Sequence, residues 1–151
     1  MNNWNQILIT AFLTVISGAL VFCLGQIVLK FFIEPIQKLD ECRGKICDTL
    51  IFYRNIYMNP GTLNKEKEKE VSDKIRELAS ILLSRKAMIR GYDFFVKYKI
   101  IPSNENIILA HKNLIGISNS IPASGKKNID CMIEANRQRE QEIKNALKIE
   151  F

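Results

Sequence analysis

The first 29 residues contain no Asp, Glu, Lys or Arg, although the chain carries 22 basic and 16 acidic residues in 151. Every charge lies between Lys30 and Phe151. One histidine, His111, occurs in the whole chain, and the glycines are too scattered to form a phosphate-cradling loop. No C-x-x-C occurs among the four cysteines, Cys23, Cys42, Cys47 and Cys131, and the Cys42–Cys47 spacing fits no familiar metal pattern. Structural thiols in a reducing compartment are expected, with no metal and no disulfide framework. No segment alternates apolar and polar residues as a half-buried strand would.

The uncharged opening is itself informative. After the polar Asn2, Asn3, Asn5 and Gln6, residues Ile7 to Leu29 form a predominantly apolar run of 23 residues. As a helix it would be about 34 Å long, against a hydrocarbon core of about 30 Å. Fourteen of the 23 are Leu, Ile, Val or Phe, which favours insertion by about 4 to 8 kcal/mol before polar and small residues subtract. A soluble core helix of that length would show a broader polar face than Thr10, Thr14, Ser17 and Gln26 provide. A cleaved signal peptide would need basic residues ahead of the run and a small-residue cleavage site, and neither is present. One transmembrane helix is therefore expected.

Its orientation follows from Lys30, Lys38, Arg43 and Lys45, which trail the run while nothing basic precedes it. The positive-inside rule places the N-terminus outside and the rest in the cytoplasm, in a bacterial inner membrane. Trp4 on one side and Lys30, Phe31 and Phe32 on the other suit the two membrane interfaces. Glu34-Pro35 opens the aqueous part, where Pro35 should kink or restart the helix. The expected organisation is residues 1–33 as tail and membrane helix and 34–151 as a cytoplasmic helical bundle, all-α throughout.

Helical spacing runs through the second part. Ile36, Leu39, Ile46, Leu50, Tyr53 and Ile56/Tyr57 mark one helix, closed by the loop "MNPGT". "NKEKEKEVSDKIRELASILLSRKAMIR" reads as a second, with Val71, Ile75, Leu78, Leu82 and Met88 or Ile89 inward. Its KEKEKE start reads as a solvated helix end. Gly91 should break the pattern before a short amphipathic "YDFFVKYK". Ser103 should cap a helix burying Ile107, Ile108, Leu114, Ile115 and Ile117. After the loop "IPASGKKN", a last helix from about Asn128 to Leu147 carries Ile129, Ile133, Ile143 and Leu147, with Asn136 amid the stripe. A bundle of about four or five helices results.

No residue set asks for catalysis. His111 lacks an acidic partner at helical spacing and reads as structural. Arg85, Lys86 and Arg90 form the densest basic knot, a candidate contact patch whose plainer reading is a solvated face; a nucleic-acid partner is not the expected one. The strongest pattern is in the membrane helix. At about 100° per residue, Thr10, Ala11, Thr14, Ser17, Gly18 and Gly25 fall within an arc of about 120°, six of the seven small residues there. Ala11, Gly18 and Gly25 repeat by sevens. Such faces let membrane helices approach closely, and with one span per chain the partner is expected to be another copy. A dimer would bury the stripe; a larger ring would turn its hydroxyls toward a central pathway.

The blocks "FFIEPIQKLDECRGKICDTLIFYRNIY", "ELASILLSR" and "IPSNENIILAHKNLIGISNS" resemble a family of small, mostly uncharacterised bacterial proteins with one N-terminal membrane helix, a proline just beyond it and a helical cytoplasmic domain. In architecture the chain is also similar to the small membrane-anchored accessory protein of RNA-targeting (type VI-B) CRISPR systems. That resemblance implies an oligomeric, pore-like assembly in antiviral defence. The nuclease-like helical domains in that comparison carry an arginine four to six residues before a histidine. Here the nearest arginine upstream of His111 is Arg90. Together these readings give a self-associating, non-enzymatic membrane protein without cofactors, or a tethered adaptor that recruits a cytoplasmic protein partner.

Overall fold

The computed structural model describes residues 3–60, 64–122 and 129–151, and those residues are helical, with no strand among them. The chain begins with α1 (Asn3–Val28), runs through a π-helical turn (Leu29–Ile33) and continues as α2 (Glu34–Phe52). The three form one uninterrupted helix of 50 residues, about 75 Å long. Its N-terminal part is long and apolar enough to cross a membrane. No residue of α1 is buried.

The π turn has an identifiable cause. Pro35 has no N–H to offer the carbonyl one turn back, and its ring crowds that carbonyl. The helix widens instead of breaking. Glu34 N–H reaches back five residues to Leu29 O, and Pro35 then occupies the first turn of α2, where its missing donor is tolerated.

From α2 onward the periodic apolar residues turn inward. Leu39, Ile46 and Leu50 are fully buried. The helix breaks at Tyr53 rather than running on, and a short α3 (Arg54–Met58) brings Tyr57 into the core. Of the expected loop "MNPGT", residues 61 and 62 lie outside the described residues, as does 123–128 of the loop "IPASGKKN".

Helix α4 (Lys65–Ala87) starts where Asn64 accepts the Lys67 N–H at 2.9 Å. Val71, Ile75, Leu78 and Leu82 face inward as their spacing requires, and of the two residues left open near its end Ile89 is buried while Met88 is exposed. Gly91 then adopts φ +67°, a left-handed conformation that a side chain would disfavour. After the short α5 (Tyr92–Lys97), α6 (Asn104–Ser120) opens with Ser103 accepting the Asn106 N–H. Helix α7 (Ile129–Leu147) completes the order. α6 lies between α4 and α7, and α2 packs on α4.

Two expected core residues are exposed, Ile108 and Ile129. Ile108 is about 100° round the helix from the fully buried Ile107, so only one of the pair can enter the interior. Ile129 stands in the first turn of α7, before its inward stripe engages the core. The KEKEKE start of α4 is solvent-exposed as expected except at one position, Glu68. Glu68 is 1% exposed, because it stands one turn before Val71 and Ser72 on the inward stripe of α4.

Candidate functional site

The small-residue face of α1 lies open along its length. Thr10, Ala11, Thr14, Ser17, Gly18 and Gly25 are all exposed, and a side-chain carbon added at Gly18 or Gly25 would meet nothing within 4 Å. Its three hydroxyls are occupied. Thr10 donates to Gln6 O at 2.8 Å, Thr14 to Thr10 O at 2.8 Å and Ser17 to Thr14 O at 3.0 Å. Each bond closes within the helix, so none of the hydroxyls needs water or a neighbour to satisfy its proton. Chemically the face is an open strip of small side chains whose hydroxyl protons are already satisfied.

At the other end of the apolar run, the π turn displays Lys30, Phe31 and Phe32, all solvent-exposed in the isolated chain. Trp4, at the opposite end of α1, is 75% exposed. The fold brings Arg90 of the basic knot to this turn. The Arg90 guanidinium lies over the Phe31 ring, 4.5 Å from its centroid, a distance at which a cation is attracted by the ring's π face. Lys86 Nζ lies 5.3 Å from the centroid of Tyr92. Arg85 sits apart from the rings, with Nη1 4.0 Å from Met88 Sδ. Tyr92 donates to Pro102 O at 2.8 Å. Burial, followed by the charge of Asp93, pushes its phenol up to about 12. This meeting of residues 31 and 90 could not be read from spacing, because it depends on how α4 folds back along α2.

A second polar cluster is buried among α3, α6 and α7. Glu140 lies 2.9 Å from Lys144 Nζ, 2.9 Å from the Tyr57 hydroxyl and 3.3 Å from Arg54 Nε. Burial alone would raise its carboxyl. The hydrogen bonds from Lys144 and Tyr57, with the charges of Lys144 and Arg54, outweigh burial and hold it below the ordinary carboxylate value. Burial first, then Glu140, raises the Tyr57 phenol. Asn136 extends the cluster: it donates to Tyr57 O at 2.7 Å and accepts from Ser120 and Arg139, each at 2.9 Å. The contacts from Arg54, Tyr57 and Ser120 tie the last helix to the rest of the fold, whereas those of Lys144 and Arg139 lie within it. Asn136 was visible in the sequence as a polar residue on an apolar stripe; Glu140, one turn further on, carried the same signal.

His111 is half-buried on α6, where its Nδ1 lies 3.1 Å from the Ala79 carbonyl oxygen and so carries the ring proton. The four cysteines are free thiols, and burial pushes the Cys42 thiol up against the lowering effect of Arg85 and Lys45. Among the described residues no three His, Cys, Asp or Glu side chains are grouped to hold a metal ion. Both carboxylate oxygens of the buried Glu68 lack a hydrogen-bond partner among the described residues.

Neither a family model nor a curated protein nor a solved structure matches the chain.

Proposed function

We propose that the chain is a single-pass bacterial inner-membrane protein that self-associates through α1, with its N-terminus outside and the α2–α7 bundle in the cytoplasm. One observation carries this reading. A 26-residue apolar helix contributes nothing to the protein's own core, while every later helix of comparable length buries a stripe. A segment of that composition left bare needs hydrocarbon around it, and its small-residue face supports a second helix against it.

The internal hydrogen bonds of Thr10, Thr14 and Ser17 favour a dry contact between spans over a hydroxyl-lined channel. Membrane perturbation would then arise from clustering of spans. The resemblance to the membrane accessory protein of RNA-targeting CRISPR systems supports placing that perturbation in defence against phage. No enzymatic step belongs to this reading, and it uses no cofactor and no nucleic acid.

Gly18→Leu with Gly25→Leu tests it. The expected result is a detergent-solubilised particle of lower mass than the native one. An unchanged mass would show that the span is not what assembles the chain.

A second reading is a tethered adaptor, holding a cytoplasmic protein partner at the membrane. It is favoured by the exposed Ile51 and Phe52 at the end of α2 far from the span, 52% and 75% accessible. Dye leakage from liposomes bearing the pure protein would argue against the adaptor and for perturbation.

A further inference from the structure

We propose that the α5 region, residues 85–100, is a second membrane-contacting element that lies on the anionic leaflet beside the exit of α1. This rests on the reading of α1 as a span. The contact surface is built by the fold rather than by any local motif.

A continuous path of aromatic rings leads sideways from the last turn of the span. Phe32 lies 6.4 Å from Phe95 between ring centroids, Phe95 lies 5.5 Å from Phe94, and Phe94 lies 4.8 Å from Tyr98. Phe31 is joined to the same region through Arg90. The rings at the far end of the path face outward. Phe94 is 59% exposed, Tyr98 61%, and the neighbouring Ile100 52%. Tyr92, Phe95 and Val96 pack inward and hold α5 against the core. The path links these bare side chains to Phe32, in the turn by which α1 leaves the apolar run.

The charges around these rings fit an anionic lipid surface. Between positions 85 and 100 stand Arg85, Lys86, Arg90, Lys97 and Lys99 against the single acid Asp93. That one stretch therefore supplies four of the chain's net six positive charges. None of the five cations lies within ion-pair distance of a carboxylate among the described residues, whereas Lys38, Arg43, Arg54, Lys74, Arg137 and Lys144 all do. The end of α5 is shaped to display two of them. Lys99 takes φ +58°, with its N–H bonded to Val96 O at 2.9 Å and the Ile100 N–H to Phe95 O at 3.0 Å. This is a left-handed helix stop in which glycine is the usual occupant. It turns the chain so that Lys97, Tyr98, Lys99 and Ile100 are exposed in succession.

Exposed aromatic rings ringed by unpaired lysine and arginine make an interfacial anchor: the rings sit at headgroup depth, and each cation adds about fivefold to binding on an anionic surface. The leaflet is the occupant that the geometry favours, because the path begins on the span itself. Its consequence is that the folded part is laid down against the bilayer instead of swinging freely on α2.

The test uses the full chain in vesicles, with Trp4→Phe and Phe94→Trp making position 94 the only tryptophan. Position 94 is exposed, so the change does not disturb the core; Tyr98→Trp in the same background is the second reporter. In vesicles of equal phosphatidylglycerol and phosphatidylcholine, emission should shift to the blue and be quenched by lipids brominated near the headgroup. In phosphatidylcholine alone, or after Lys97→Glu with Lys99→Glu, that docked population should fall about tenfold or more.

Native Trp4 serves as the reporter of the span, quenched by brominated chains whatever the lipid charge. Trp4 quenched while both reporters stay open to aqueous iodide overturns the docking and leaves the span standing. Neither quenched overturns both. Reporters that become shielded only when a cytosolic fraction is added overturn the lipid proposal in favour of a protein or nucleic-acid partner.

Discussion

At the scale of the residue, two buried glutamates behave in opposite ways. Glu140 is surrounded by donors, and its ionised form is bound more tightly in the fold than in the unfolded chain. Its stabilisation is therefore present above an unfolded glutamate value of about 4.3 and is lost as pH falls through its lower native value. Glu140→Gln should cost about 2–4 kcal/mol at neutral pH, because Lys144 and Tyr57 lose a charged acceptor. The variant's stability should also fall less steeply in acid than the native chain's, measured by thermal melting across pH. Glu68 has no hydrogen-bond partner for either oxygen among the described residues. Replacing it by Leu removes a buried carboxyl that has no hydrogen-bond partner among the described residues, so stability should rise by about 1–3 kcal/mol. Chemical denaturation of the detergent-solubilised protein would read either change, and a destabilised Glu68→Leu would mean that the carboxylate has a partner after all.

At the scale of the element, the joints between helices are polar as often as apolar. Ser72 on α4 and Ser118 on α6 each donate to the other's carbonyl oxygen at 2.9 Å, with their hydroxyl oxygens 3.0 Å apart in a buried setting. Ser118→Ala removes the bond to the Ser72 carbonyl while Ser72 keeps donating to the carbonyl of residue 118, and should cost about 1–2 kcal/mol. The double change with Ser72→Ala should depart from the sum of the two single changes only by what the hydroxyl–hydroxyl contact contributes, which a double-mutant cycle would measure. Such pairs explain where the sequence stops being readable. The helices themselves were legible from apolar spacing and from caps at Ser103 and Gly91, and so was the small-residue face of α1, since both depend on neighbours three or four residues apart. Ser72 and Ser118 are 46 positions apart, and Arg90 meets Phe31 across 59. No local period encodes those distances. The same limit explains Arg43, which donates through Nε to the Leu147 carbonyl at 2.9 Å and so caps the far end of α7. Glu68 was missed for a different reason: alternating charges suggest water, and the inward stripe of α4 extends one turn further back than its apolar residues do.

At the scale of the whole molecule, the apolar helix and the core are energetically separate. Since no residue of α1 is buried, a chain beginning at Val28 should keep the melting temperature of the full protein to within about 3 °C, and should remain dispersed without detergent. Calorimetry on both forms would check this, and a large loss would mean that α1 supports the core. The two parts are nonetheless a single shaft, since the helix passes from α1 through the π turn into α2 without a break. A shaft fixes azimuth as well as distance. Deleting one residue from the π turn would swing the small-residue face of α1 by about 100° relative to the rest, so that two copies joined at their spans would present different flanks to each other below. The wide turn at Leu29–Ile33 thus acts as a crank setting, and in the proposed assembly the proline that imposes it would determine which way each copy faces the next.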